Sequence, residues 1–143
     1  DDEIAQAILF LMERGKMVAE GAGAAPVAAI MNHKFDVSGK VAAVISGGNI
    51  DVTMISRIIE KGLLRAGRMT KLRILMQDRP GQLEMASHII AAEGANVMVV
   101  HHDRTDVDLD IRDAILEITM ETQDREHAQR VINALREGGF KVS

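Results

Sequence analysis

One loop of this sequence combines residue types that could bind a small charged molecule: Gln77-Asp78-Arg79-Pro80-Gly81-Gln82-Leu83. Asp78 can accept hydrogen bonds from the unpaired N–H groups at a helix start, and Pro80 suits a first helical turn because it has no N–H. Gly81 leaves the backbone bare where an anionic ligand could reach those amides. The loop is interpreted as a small-molecule sensor, and a well-capped strand-to-helix turn is the simpler alternative.

A second candidate site is the turn Ser46-Gly47-Gly48-Asn49. It follows a run of small and β-branched apolar residues, 40–45, which is typical of a strand buried on both faces. Asp51 then caps a helix. A turn at the carboxyl end of such a strand is where α/β sheets bind ligands. The alternative is a plain strand-end turn with Asn49 as the helix cap.

The histidines and the acidic loop predict no metal site. His101 and His102 are consecutive in a predicted strand, so their side chains point to opposite faces and cannot easily share one ion. Asp103, Asp106, Asp108 and Asp110 resemble a calcium loop in composition only, because the glycine and closing glutamate of an EF-hand are missing. A solvated hairpin is expected there, and no Ser/His/Asp triad can be argued from spacing.

The first part of the chain alternates helices with short strands. We predict a helix over 2–14, capped by Asp1 or Asp2 and ended by Gly15, and strands over 16–19 and 40–45. An Ala-rich helix from Pro26 to about Asn32 is expected to lie close against a neighbour. The helix after Asp51 ends at Gly67, and its predicted core face is Val52, Ile55, Ile59 and Leu63. Two short strands cannot pair all their edges, so this part looks like the tail end of a larger sheet.

The second part predicts a βαββαβ, ferredoxin-like unit. Its strands cover about 69–77, 97–104, 114–121 and 140–142, and its helices about 81–93 and from Asp124 to Gly138. Alternating apolar residues indicate one buried face on the first strand, at Leu72, Ile74 and Met76, and one on the third, at Ala114, Leu116, Ile118 and Met120. The chain is thus divided into two parts, 1–66 and 67–143, and the fold class is α/β.

Composition excludes several functions. The net charge is −4, and three Phe are the only aromatic residues, so an RNA-binding ferredoxin-like domain is disfavoured. No apolar run approaches the ~18 residues of a membrane span. The chain has no Cys and begins with acidic residues, so a cytoplasmic location is predicted.

Five motifs, taken in order, resemble those of a known family. The chain looks like the C-terminal third of a threonine dehydratase (threonine ammonia-lyase), a pyridoxal-phosphate enzyme of fold type II, and from residue 68 onward it resembles that family's regulatory ACT domain. The resemblance covers essentially the whole chain. The motifs are Glu20-Gly21-Ala22-Gly23-Ala24, Val44 to Asp51, Asp78-Arg79-Pro80-Gly81, Gly94-Ala95-Asn96-Val97 and His101-His102-Asp103-Arg104.

The resemblance implies a cofactor site in the first part. Ser46 would present its hydroxyl to the pyridine nitrogen of pyridoxal phosphate, Gly47 and Gly48 would let the backbone approach the ring, and Glu20 and Gly21 would also line the site. The family's Schiff-base lysine and Gly-rich phosphate cradle have no counterpart here. This polypeptide alone is therefore expected to be catalytically inactive and to hold no covalent cofactor.

The resemblance also implies an effector site in the second part. The ligand would be an amino acid whose carboxylate meets the amides around Gly81, Gln82 and Leu83, with Asp78 beside them. Its amine and side chain would meet Asn96 and Val97, expected from a second subunit of a dimer or tetramer. The apolar strand that contains residues 97–100 is expected to be covered on both faces, and packing of a dimer without any ligand is the alternative.

Three alternatives to this assignment stay open. The chain could be a free-standing amino-acid-binding module, or a relative of the serine dehydratases or of the racemases. The sequence does not indicate which amino acid is sensed, with what sign, or whether the role is catabolic or biosynthetic.

Overall fold

A computed structural model describes residues 1–36, 38–107 and 109–143. The chain forms two compact units, residues 1–62 (unit 1) and 63–143 (unit 2). The elements in chain order are α1 (Asp2–Phe10) with a following π-helical turn (Leu11–Gly15), α2 (Gly21–Met31), α3 (Val52–Ala66), β1 (Met69–Gln77), α4 (Gln82–Ala92), β2 (Asn96–Asp103), β3 (Asp113–Glu121), α5 (Arg125–Glu137) and β4 (Lys141–Val142).

The regular elements in the described residues of unit 1 are all helices. Its core contains many small side chains, which allow the helices to pack closely: Ala7, Ile8, Leu11, Ala19, Ala24, Ala28 and Ile58. The close approach that the Ala-rich segment predicted is therefore confirmed. A Cβ at Gly62 of α3 would overlap the side chain of Leu9, so α3 also approaches α1 closely.

Neither strand predicted for unit 1 forms. Residues 16–19 and 40–45 have no ladder partner among the described residues of unit 1, and Val44 is 80% exposed. A strand needs inter-strand hydrogen bonds on at least one edge. Without a neighbouring strand, the β-branched pattern of 40–45 yields an irregular segment, of which Val44 is exposed and Ile45 packs partly buried against the core of unit 1.

Three details of the helices in unit 1 also differ from prediction. The first helix begins after Asp1, whose side chain makes no capping hydrogen bond. The second begins at Gly21, five residues before Pro26, which therefore lies inside the helix and removes one internal hydrogen bond. Val52, predicted to face the core, is exposed because it is the first residue of α3, and Ile58 is buried instead.

Unit 2 is the predicted ferredoxin-like unit. Its four-stranded antiparallel sheet has the order β2-β3-β1-β4. The predicted alternation in β1 and β3 is confirmed, because Leu72, Ile74 and Met76 are buried opposite the buried positions of β3. The core is a single cluster between the sheet and helices α4 and α5, made of Leu72, Ile74, Met76, Ala86, Ile90, Ala95, Ala114, Leu116, Ile118, Met120, Val131, Leu135 and Phe140.

Strand β2 is an edge strand, with a bulge between Val97 and Val99. Met98, Val99 and Val100 are exposed, so the expectation that this strand is covered on both faces is wrong within one chain. The helices of unit 2 pack against the sheet through its core, and among the described residues of this unit β2 pairs with β3 alone, so its outer edge is unpaired as well.

No helix among the described residues combines the length and the apolar character that a membrane span requires.

Candidate functional site

The predicted cofactor-site residues of unit 1 lie together. The Glu20 N–H donates to the Gly47 carbonyl at 3.1 Å. Gly47 has a φ of +75°, which favours glycine, and a Cβ there would also overlap the present position of the Glu20 side chain. The turn Ser46–Asn49 and the start of α2 thus form one contiguous surface.

Gly23 is a part of this contact that sequence reasoning did not single out. It is buried in α2, and a Cβ on it would overlap the carbonyl oxygen of Ser46. The available signal was the second glycine of Glu20-Gly21-Ala22-Gly23, spaced two residues from the first. Gly23 therefore fixes how closely the helix approaches the turn, and through it the position of Ser46.

The Ser46 side chain is exposed, and its hydroxyl makes no hydrogen bond within the described part of the chain. Asp51, not Asn49, caps α3, because its Oδ1 accepts from the Thr53 N–H at 2.8 Å and from the Thr53 hydroxyl at 3.0 Å. The alternative role of Asn49 as the cap is therefore wrong. What remains is a free hydroxyl donor beside bare glycine backbone. Glu20, Gly21 and Asn49 help to line a groove of about 780 Å³, whereas Ser46, Gly47 and Gly48 are not among its lining residues.

The second candidate site is the loop between β1 and α4. Gly81 is the N-cap residue of α4, with a φ of +88°. Asp78 lies too far upstream to cap, since it precedes the cap position by three residues, and the predicted capping role is wrong. Its Oδ2 instead forms an ion pair with Nε of Arg104 at 3.0 Å. The loop is therefore tied to the end of β2.

His102 lies under the same carboxylate. Its Nε2 is 3.8 Å from Oδ1 of Asp78, and this buried nitrogen has no hydrogen-bond partner among the described residues. Sequence reasoning weighed His102 as a metal ligand and placed it with Arg104 in a family motif, but assigned neither residue to the effector site. The signal was available in the topology, because β1 and β2 both run antiparallel to β3 and so end at the same edge of the sheet.

These residues surround a cavity of about 410 Å³ in unit 2. Of the predicted effector residues, Asp78, Gly81 and Leu83 line it, whereas Gln82 lines a neighbouring cavity of about 430 Å³. The full lining of the first cavity is Met76, Asp78, Arg79, Pro80, Gly81, Leu83, His102 and Arg104.

Asn96 and Val97 are not part of this cavity within one chain. They begin β2, opposite Glu121 and Met120, whereas the cavity lies at the other end of the strand. His102 follows Asn96 by six positions along the strand, roughly 20 Å at ~3.3 Å per residue. The Asn96 side-chain amide donates to Glu121 Oε2 at 2.9 Å.

The acidic loop after β2 is held by internal hydrogen bonds. The Thr105 N–H and hydroxyl both donate to Oδ1 of Asp103 at 2.8 Å, and these bonds hold the pKa of the Asp103 carboxyl below its ordinary value. Asp106 pairs with Arg73 at 3.2 Å. Asp108 lies outside the described residues. His101 and His102 occupy successive ladder positions and so face opposite sides of the sheet.

No family model matches the chain, but curated proteins are similar to it. The sequence is 50% identical over 143 residues to an L-threonine ammonia-lyase of Thermotoga maritima and 45% identical over 143 residues to one of Geobacter sulfurreducens, in each case over 99% of this chain. A catabolic L-threonine dehydratase, TdcB, of Staphylococcus aureus is 49% identical over 67 residues, 44% of this chain and 19% of its own length.

The chain spans about a third of the length of the two relatives that it matches throughout, 35% and 36%. Among solved structures, that of protein BT0572 from Bacteroides thetaiotaomicron aligns over 53% of this chain and 46% of its own, at 18% identity with a TM-score of 0.40, a likeness too weak to carry an argument. Over essentially its whole length, the chain matches a C-terminal fragment of threonine dehydratase (L-threonine ammonia-lyase).

Proposed function

We propose that this chain forms the C-terminal part of a pyridoxal-phosphate-dependent threonine ammonia-lyase, which converts L-threonine to 2-oxobutanoate and ammonia. The observation that carries the proposal is 50% identity over 143 residues to a protein of that name. In this assignment unit 1 supplies one edge of the cofactor site, and unit 2 is an ACT domain that senses an amino acid and associates subunits.

The residues of unit 1 fit one end of such a cofactor. Pyridoxal phosphate supplies, when bound, an electron sink for elimination. The Ser46 hydroxyl is free to donate a hydrogen bond to a ring nitrogen without protonating it. Gly48 presents backbone without a side chain, and packing within the chain does not require glycine there, because a Cβ would make only ordinary contact with Val18. The hydrogen bond from Glu20 to Gly47 and the close approach of Gly23 to Ser46 hold the turn in place.

The polypeptide of residues 1–143 by itself should not deaminate threonine. None of its lysines lies in a motif that matches the family's Schiff-base lysine. Incubation with pyridoxal phosphate and borohydride should therefore leave no specific lysine adduct, and a mapped adduct with 2-oxobutanoate production would contradict this. The lysines are Lys16, Lys34, Lys40, Lys61, Lys71 and Lys141.

A chimera tests the assignment directly. The segment of the Thermotoga relative that this chain matches is replaced by residues 1–143, and 2-oxobutanoate formation from L-threonine is measured. We expect activity in the chimera and a loss of about tenfold in Ser46→Ala, the value of one hydrogen bond made to the reacting system. Ser38→Ala, another exposed serine of unit 1, is the matched control and should leave the rate unchanged.

Two outcomes of the chimera experiment would contradict the proposal. A folded chimera that binds pyridoxal phosphate but does not act on threonine would contradict the proposed threonine ammonia-lyase activity. Equal rates in the wild-type chimera and in Ser46→Ala would contradict the role proposed for Ser46 but not the family assignment.

Amino-acid sensing in unit 2 rests on the cavity beside Gly81. It places a carboxylate, two guanidinium groups and an imidazole around a space of about 410 Å³, next to the first amides of α4. Such a lining can hold both charged ends of an amino acid. Calorimetry of the chain with L-isoleucine, L-valine, L-threonine and L-serine tests this, and no binding at millimolar concentration would refute it.

Association through unit 2 is the second role proposed for it. The outer edge of β2 is unpaired in the described chain and carries exposed Met98, Val99 and Val100. An open edge with apolar side chains favours pairing with a second copy. Light scattering should therefore show a dimer or tetramer, and Val99→Lys should shift it toward monomer. A monomeric wild-type chain at high micromolar concentration would contradict this.

A free-standing amino-acid-binding module is the alternative function. It is favoured by one observation: the core of unit 2 is built entirely from residues 72–140, so the sheet and helices of this unit form their own hydrophobic core. The chimera separates the two assignments, because a sensor without catalytic ancestry should not restore the lyase.

A further inference from the structure

The cavity of about 410 Å³ beside Gly81 (the effector cavity) is lined by charged groups that can exchange ion-pair partners. Asp78 is the only carboxylate among the described lining residues, and it faces Arg104 at 3.0 Å and His102 at 3.8 Å. Arg79 lines the same cavity and makes no ion pair within the described residues. Two guanidinium groups against one carboxylate leave a net positive charge that suits a ligand carboxylate.

The Asp78–Arg104 pair is easily opened. The Arg104 side chain is 62% exposed and that of Asp78 32% exposed, so water competes for both groups. Exposed ion pairs contribute little to stability. A ligand that offered each partner a replacement of opposite charge would therefore separate them at small cost.

We propose that Asp78 and Arg104 bind the two ends of an α-amino acid zwitterion by exchanging their mutual ion pair, Asp78 taking the ammonium and Arg104, with Arg79, the carboxylate. This inference rests on the sensing function proposed above. It differs from the sequence-based expectation, because the ammonium contact comes from the same chain and not from Asn96 or Val97 of a second subunit.

His102 positions Asp78 in this arrangement. Its Nε2 is buried and unpartnered, and a movement of Asp78 by about 1 Å would bring the two atoms from 3.8 Å to hydrogen-bond distance. When the ligand draws Asp78 away from Arg104, His102 can therefore hold the carboxylate on its other oxygen.

The two proposed contacts are tested by removing one charged group from the ligand and its proposed partner from the protein, separately and together. Whichever of L-valine, L-isoleucine, L-threonine and L-serine binds the wild-type chain most tightly is compared with its amide, which lacks the carboxylate, and its N-acetyl form, which lacks the ammonium. Asp78→Asn should weaken the amino acid about tenfold to a hundredfold but leave the N-acetyl form unchanged. Arg104→Gln should weaken the amino acid similarly but leave the amide unchanged.

Two further variants test whether the effect is specific to arginines of the cavity and whether His102 acts through Asp78. Arg73→Gln removes an arginine with comparable exposed ion pairs, to Asp106 and Glu117 at 3.2 Å, that does not line the cavity, and binding should stay within twofold. His102→Phe should weaken binding in the wild-type background but add nothing in the Asp78→Asn background, because His102 acts through Asp78.

The failures are distinguishable. If the folded wild-type chain binds none of the four amino acids, the sensing function fails and this inference with it. If it binds one of them, and Asp78→Asn and Arg104→Gln both stay within twofold of wild type, sensing stands and the exchange of the ion pair is refuted.

Discussion

Replacing His127 with Phe should destabilise unit 2, because this histidine joins two helices through its ring. It is 1% exposed and lies in the first turn of α5. Its Nδ1 accepts from the Gln123 N–H at 3.1 Å, and its Nε2 is 2.8 Å from the carbonyl of Glu93, just past the end of α4. Because a carbonyl can only accept, the geometry places the ring proton on Nε2.

The expected magnitude follows from the two backbone groups that Phe would leave without partners. Each unsatisfied buried group costs about 1–3 kcal/mol. Both hydrogen bonds are partly buried, so water can replace part of the loss, and we expect about 2–3 kcal/mol for the pair. His127→Gln can still reach one of the two partners and should lose about half as much.

The assay must follow unit 2 by itself, because a chain of two compact units need not unfold in one step. The sequence has no Trp or Tyr for fluorescence. Urea denaturation by circular dichroism, combined with hydrogen exchange of peptides from α5 and β3, gives the free energy of opening for unit 2. His88→Phe, on the exposed side of α4, is the control and should stay within about 0.5 kcal/mol of wild type.

The reasoning is refuted if His127→Phe is as stable as His88→Phe. It is also refuted if His127→Gln loses as much as His127→Phe, because shape and not hydrogen bonding would then explain the role of this histidine.

Three smaller effects are expected elsewhere in unit 2. Gly67→Ala should destabilise the junction before β1 by at least about 1 kcal/mol in urea denaturation, since its Cβ would lie 2.5 Å from the backbone nitrogen of Arg125. Asp124→Ala should cost about 1 kcal/mol by the same measurement, because Asp124 Oδ1 accepts the N–H three residues on at 2.8 Å, and Asp124→Asn should recover most of that loss. Asp103 has a lowered pKa in the fold, chiefly from the Thr105 N–H, so its contribution is complete above the unfolded value of 3.8 and disappears as pH falls through the lower folded value; the Thr105 amide shift should titrate below pH 3.8 in wild type and not in Asp103→Asn.

Unit 2 was largely predictable because its signals are local. Strand β1 spans Met69–Gln77, as the alternation of Leu72, Ile74 and Met76 predicts. Period-2 burial and the glycines that end the helices act over a few residues, so they can be recognised without knowledge of the fold. The order β-α-β-β-α-β then leaves few possible topologies.

Unit 1 was predicted less well because its strand signals depend on distant partners. The run 40–45 has the composition of a buried strand, yet a strand forms only where another strand donates and accepts hydrogen bonds beside it. The described part of unit 1 offers none. The predicted cofactor-site residues still converge there, because Gly47 and Gly23 are required by close contacts with Glu20 and Ser46.

The sequence by itself determined the βαββαβ order, the buried faces of β1 and β3, and the glycine at residue 81 that starts α4. These features depend on side-chain periodicity and on backbone conformation, which are properties of neighbouring residues. Only the tertiary structure decided that Asp78 pairs with Arg104 and approaches His102. Those groups are more than twenty residues apart in sequence, and they meet because β1 and β2 run parallel on either side of β3 and end at the same edge.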